Sequence, residues 1–149
     1  MSTGTSLVAF KQTLKTALAA RPGMSGVQLS YGYPGNDYVQ RESVWFEGAE
    51  VVNSEFPVMK AGTKKVDETY TLDVVVQVLK TQGEDQEAAD LRAVALLAEL
   101  QQALAENPQL TPEIQWAEMA GWEHATGELN TGHGSRFNVT LRVRARLYP

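Results

Sequence analysis

The segment from Arg136 to Tyr148 alternates between polar and apolar side chains almost without interruption. Because successive side chains of a β-strand point to opposite faces of a sheet, this pattern predicts one long strand. One of its faces would carry only apolar side chains, namely Phe137, Val139, Leu141, Val143, Ala145 and Leu147. A chain with such a strand needs a sheet whose apolar face is covered by the rest of the core.

The other face of this strand carries Arg142, Arg144 and Arg146, here called the arginine row. Neighbouring members lie roughly 7 Å apart, the rise of two strand residues. Like charges on one sheet face repel unless a negative group covers them. We hypothesise that a second copy of the chain contributes to this cover; the alternative is a solvated sheet face, which is common in antiparallel sheets.

Hydrophobic periodicity predicts a single α+β domain over 1–149, with two helices packed on a mostly antiparallel sheet. The predicted helices cover 7–18 and 84–106, and the predicted strands cover 27–33, 69–80 and 136–148, with others beginning at 43 and 114. The element order is therefore α-β-β-β-α-β-β. The second helix is expected to use its apolar residues Leu91, Val94, Leu97, Ala98, Leu100 and Leu104.

The pattern lapses at about 52–68, which predicts a loop longer than most connections in compact domains. Its apolar residues are Phe56, Val58 and Met59, and its basic residues are Lys60, Lys64 and Lys65. Apolar side chains on a loop favour burial against a partner, so a docking arm is predicted. A tolerated insertion is the alternative.

Composition limits the possible functions. A chain of 149 residues with 43% hydrophobic residues fits one core. The net charge of -5 argues against a dedicated nucleic-acid binder. Without cysteine, the chain can form neither disulfides nor thiolate metal sites. No apolar run approaches the roughly 20 residues that span a bilayer, so we expect an intracellular protein with no membrane contact.

Candidate chemical groups have simpler explanations. The two histidines are His124, just before the polar connection predicted over 126–134, and His133 within it. Their spacing matches no known metal-ligand pattern. Glu84, Asp85 and Glu87 suit the first turn of a helix, where the dipole favours carboxylates. Trp45, Trp116 and Trp122 are expected in the core or an interface. We therefore expect no enzyme activity, metal or cofactor.

In its order of elements, the whole chain resembles the tail terminator (tail completion) proteins of long-tailed bacteriophages. The matching features are the helix that ends at Arg21-Pro22, the 27–34 strand with its Tyr-Gly-Tyr-Pro ending, the long loop before Thr69, the 85–106 helix and the alternating last strand. The resemblance implies a hexameric ring that caps the major tail tube protein and meets a neck or head-completion protein. DNA would only pass through its channel.

This resemblance also implies a place in the virion tail, with assembly in the host cytoplasm and no catalysis. In a heterologous ring, the arginine row of one subunit can meet an acidic surface of the next, and Glu84, Asp85 and Glu87 supply one. Two alternatives remain open. One is a head-proximal neck or connector protein of the same virion; the other is a small intracellular ligand-binding domain with a pocket at Trp116, Trp122 and the histidine-containing connection.

Overall fold

The computed structural model describes residues 4–55, 65–81, 85–107, 110–129 and 132–147. The elements are helices α1 (Leu7–Ala19) and α2 (Gln86–Glu106), a 3₁₀ turn (Pro22–Met24), and strands β1 (Gln28–Ser30), β2 (Glu42–Glu55), β3 (Val66–Thr81), β4 (Ile114–Leu129) and β5 (Gly132–Leu147). This order confirms the predicted α-β-β-β-α-β-β arrangement of an α+β fold.

The five strands form one sheet in the spatial order β1-β2-β3-β5-β4. Short β1 pairs with β2 in parallel, and all other neighbouring strands are antiparallel. The β2–β3 and β4–β5 pairs are long hairpins whose tips lie at opposite ends of the sheet, because β5 runs antiparallel to β3. The sheet is therefore mostly antiparallel, as predicted.

Both helices pack on the same face of the sheet. The apolar face of β5 is buried throughout, which confirms the alternation in the sequence. Helix α1 contributes Phe10, Leu14 and Leu18 to this core, and α2 contributes Leu96, Leu97 and Leu100 among others. The opposite face of the sheet, here called the polar face, carries the arginine row.

A carboxylate from β3 caps the start of α1. The Oε1 atom of buried Glu68 accepts hydrogen bonds from the Ser6 backbone N–H at 2.8 Å, the Ser6 hydroxyl at 2.9 Å and the Thr5 hydroxyl at 3.0 Å. The N-cap residue Ser6 makes no side-chain cap of its own. A distant strand thus satisfies helix donors that local sequence usually satisfies.

Three sequence-based boundaries differ from the structure. Strand β2 ends at Glu55 and strand β3 begins at Val66, so the predicted 52–68 loop spans at most 56–65. The predicted polar link over 126–134 is the tip of the β4–β5 hairpin, and β1 covers only Gln28–Ser30 of the predicted 27–33 strand.

The second helix also differs from its prediction. Leu97, Leu100 and Leu104 are buried, but Leu91 is 64% exposed, Val94 is 50% exposed and Ala98 is exposed. Alanines at 89, 93 and 103 complete the buried side instead. The buried side thus holds four leucines and three alanines, and Leu91, Val94 and Ala98 lie on the opposite side of the helix.

Candidate assembly interface

The polar face of the sheet holds the predicted arginine row. Residues of β3 and β5 that share this face include Asp67, Thr71, Asp73, Asn138, Thr140 and the three arginines. Within the described residues, no helix packs on it.

Two members of the row share a single carboxylate of the same chain. Asp67 Oδ1 accepts a hydrogen bond from Arg146 Nε at 2.6 Å. Asp67 Oδ2 accepts one from Arg146 Nη2 at 2.8 Å and one from Arg144 Nη2 at 3.2 Å. The Asp67 side chain is only 2% exposed, whereas the arginines are 29% and 32% exposed. Arg144 and Arg146 therefore have a carboxylate partner within the same chain, and a second copy is not needed to supply one.

The contacts of Arg144 and Arg146 with Asp67, here called the clamp, affect the pKa of Asp67 and the position of the arginines. The hydrogen bond from Arg146 is the main cause that holds the pKa of Asp67 below its usual value, against the opposing effect of burial. Arg144 is fixed further by Gln115 Oε1, which accepts from its Nε at 3.0 Å. Sequence reasoning missed Asp67 because the residue lies within the predicted 52–68 loop, where no strand register was assigned.

Arg142 differs from its neighbours in the row. It is exposed, and across the sheet it lies opposite Thr71 on β3 and Glu118 on β4. Among the described residues it makes no ion pair within 4 Å. Arg142 is therefore the member of the row whose charge is available to a partner.

An aromatic cluster covers the other end of the polar face. Trp45 on β2 is 1% exposed, and the Tyr33 ring lies 5.3 Å from it, centroid to centroid. The Arg136 guanidinium stands 5.6 Å from the Trp45 ring, and Trp45 Nε1 donates to Glu47 at 3.2 Å. Trp45 is thus buried, as expected, but on the sheet face that the helices do not cover.

Each of the two lateral edges of the sheet includes a stretch of strand that pairs on one side only. Strand β4 pairs with β5 alone over Ile114–Leu129. On the far side, β1 pairs only with residues 43–45 of β2, which leaves residues 46–55 paired with β3 alone. Within the described ranges, these edges present backbone N–H and C=O groups that have no strand partner, the usual template for pairing with another chain.

The acidic start of α2 has a local role. The Asp85 carboxylate accepts from the Ala88 backbone N–H at 2.9 Å and so caps the helix, while Glu87 stands exposed in the first turn. Glu84 lies outside the described residues. The helix-dipole explanation is sufficient for Asp85, and Glu87 remains free for contact with a partner.

Most of the predicted docking loop lies outside the described residues. Phe56, Val58, Met59, Lys60 and Lys64 lie outside the described residues, and Lys65 is exposed beside the start of β3. The docking role of this segment stays a prediction.

The histidine and tryptophan residues do not form the pocket of the ligand-binding alternative. Trp116 pairs with Arg144 and lies on the polar face, whereas Trp122 packs edge-on against Phe137 on the helix face, 5.2 Å between centroids. His124 Nε2 contacts Ser135 Oγ at 2.8 Å and Asp90 Oδ1 at 3.3 Å. Because both partners meet the same nitrogen, the trio cannot relay a proton from serine through the ring to the carboxylate.

Comparison with solved structures shows where this fold occurs. A chain in the structure titled "Virion of native gene transfer agent (GTA) particle" matches 97% of this chain and 100% of its own length, with a TM-score of 0.61. The two sequences are 12% identical. No protein-family model and no curated protein sequence matches.

Two other classes of site are absent from the described residues. No group of three or more His, Cys, Asp or Glu residues there is placed to hold a metal ion. No helix in the same part of the chain is long and apolar enough to cross a membrane.

Proposed function

We propose that this chain is a structural virion protein whose copies form a ring that caps the tail tube and joins it to the neck. The ring leaves a channel through which DNA passes, and it performs no catalysis. Support comes from the end-to-end likeness in fold to a chain of the gene transfer agent virion. The protein would then reside in the virion tail, after assembly in the host cytoplasm.

The observation that carries the proposal is the pair of unpaired edges on opposite sides of one sheet. The β4 edge and the 46–55 edge of β2 differ in sequence and position, so a contact between them is heterologous. Repetition of such a contact closes into a ring when the rotation between copies allows it. Backbone pairing across the junction would satisfy both edges.

The first test asks whether the edge of β4 is needed for assembly. Neighbouring residues of an edge strand direct their N–H groups to opposite sides, so one of Ala125→Pro and Thr126→Pro removes an outward N–H and the other removes a ladder hydrogen bond. Circular dichroism identifies the variant that keeps the native fold. We expect that variant to lose rings in negative-stain images, with wild-type protein as the reference. Rings of normal abundance would refute edge pairing.

The second test asks what the ring binds. Purified protein added to tail tubes should appear as a cap at one tube end, because the proposed partner is the major tail tube protein. A variant in which a Gly-Ser bridge joins Glu55 to Lys65 should keep the fold, since it leaves the β2–β3 register intact and closure entropy changes slowly with loop length. This variant should cap fewer tubes. Binding to isolated heads but not to tubes would instead favour the head-proximal neck role.

A further inference from the structure

Helix α2 carries a second stripe of residues that faces solvent. Glu87, Leu91, Val94 and Ala98 follow one another at helical spacing on the exposed side and are here called the helix stripe. Leu91 is 64% exposed and Val94 is 50% exposed. A helix that packs on a sheet with one side normally presents polar residues to solvent on its other side. This apolar stripe therefore favours a contact with another molecule.

Flanking side chains show which way the stripe points. On one side of the helix, Asp90 reaches His124 of β4 at 3.3 Å. On the other side, Arg92 reaches Glu42 of β2 at 2.7 Å. On the helical wheel, Val94 lies next to Asp90 and away from Arg92, so the stripe leans toward the unpaired β4 edge.

Helix α1, which lies toward the sheet edge opposite to the β4 edge, carries a surface complementary to the helix stripe. Val8, Lys11 and Lys15 share one side of α1, and Val8 is 52% exposed. Lys11 Nζ donates to the Glu47 carbonyl of β2 at 3.3 Å, which places this lysine side beside the unpaired β2 edge. Helix α1 contains no acidic residue, whereas the helix stripe begins with Glu87.

We infer that the helix stripe of one copy packs against the lysine side of α1 in the next copy. The inference rests on the proposed ring: if β4 of one subunit pairs with β2 of the next so that His124 lies level with Glu47, the stripe and the lysine side come to the same junction. Leu91 and Val94 would bury apolar surface against Val8, and Glu87 would meet Lys11 or Lys15. The junction then has two layers, strand edges below and helices above.

Cysteine cross-linking tests this contact directly, because the chain has no cysteine of its own. Leu91→Cys and Val8→Cys proteins, mixed under mild oxidation, should give a disulfide-linked dimer. Neither protein alone should give one, since the contact is heterologous. Tyr38→Cys, at a position 74% exposed in the β1–β2 connection, is the matched control and should not link to Leu91→Cys.

The outcomes separate this inference from the proposed function. Rings in negative stain without a Leu91–Val8 link would overturn the inference and leave the ring standing. A link formed by Leu91→Cys protein alone would also overturn it, because the contact would be symmetric. If wild-type protein forms neither rings nor tube caps and the mixed pair fails to link, both proposals fall.

Charge exchange supplies an independent measurement. Glu87→Lys and Lys15→Glu should each raise the concentration for half-assembly by roughly two- to five-fold, the range of an exposed ion pair. A Glu87→Lys, Lys15→Glu double variant should recover part of that loss. Leu91→Ser should raise the same concentration by about tenfold, with an unchanged melting temperature of the monomer. Equal assembly of Leu91→Ser and wild type would contradict the contact.

Discussion

Replacement of Asp67 by asparagine tests the clamp beneath the arginine row. The substitution keeps the size of the side chain but removes the charge that Arg144 and Arg146 share. Hydrogen bonds to charged groups contribute about 1.5–3 kcal/mol, and breaking a fully buried ion pair costs about 3–5 kcal/mol. Because both arginines are about 30% exposed, water offsets part of this loss. We expect the free energy of unfolding at pH 7 to fall by about 2–3 kcal/mol.

This effect should depend on pH. The folded-state pKa of Asp67 is lowered, chiefly by the hydrogen bond from Arg146. A lowered pKa stabilises the fold fully above the unfolded-state pKa of about 3.9, and the contribution is lost as pH falls through the folded-state pKa. The difference between wild type and Asp67→Asn should therefore be largest near pH 7 and shrink below about pH 4.

Urea denaturation followed by circular dichroism measures both quantities, at a concentration where light scattering reports monomer. Asp73→Asn is the matched control, since Asp73 lies on the same strand and face but is exposed, with one 3.5 Å hydrogen bond from Thr140. We expect the control to change stability by less than about 0.5 kcal/mol. An Asp67→Asn loss no larger than that of the control would refute the clamp.

The remaining predictions concern the arginine row and the cap of α1. Arg142→Glu should leave the urea midpoint of the monomer nearly unchanged but weaken assembly measured by light scattering, since Arg142 is exposed without an ion pair in the described part of the chain. Arg144→Glu should lower that midpoint as well, because it places a second carboxylate beside Asp67; equal midpoints for the two variants would contradict this distinction. Glu68→Gln should destabilise the fold by about 1–2 kcal/mol in thermal unfolding, because the carboxylate caps α1, and an unchanged melting temperature would contradict that role.

Local patterns in the chain were sufficient for the elements and their order. The alternation in β5 has a period of two, so its buried and polar faces follow from strand geometry alone. The apolar side of α1 and the ends of α2 likewise follow from helical spacing and stop signals. These features depend on neighbours within a few residues, which sequence reasoning captures.

Only the tertiary structure decided which charges remain available on the surface. Asp67 lies far from Arg144 and Arg146 in sequence, and the β3–β5 register brings it beneath them. Glu68, also on β3, accepts a hydrogen bond at the start of α1 from Ser6, which lies 62 residues earlier in the chain. Sequence reasoning alone therefore looked for the negative partner of the arginine row in a second copy of the chain.

Helix α2 is a second case in which the sequence alone did not determine which residues are exposed. Its sequence has apolar residues around much of its circumference, and periodicity alone could not select the buried side. Packing selected the side that carries Leu96, Leu97, Leu100 and Leu104 together with three alanines, and Leu91 and Val94 were left outside. The sequence by itself determined which segments become strands and helices, since that depends on local geometry. The fold decided which residues remain exposed for a partner, since that depends on contacts between distant segments.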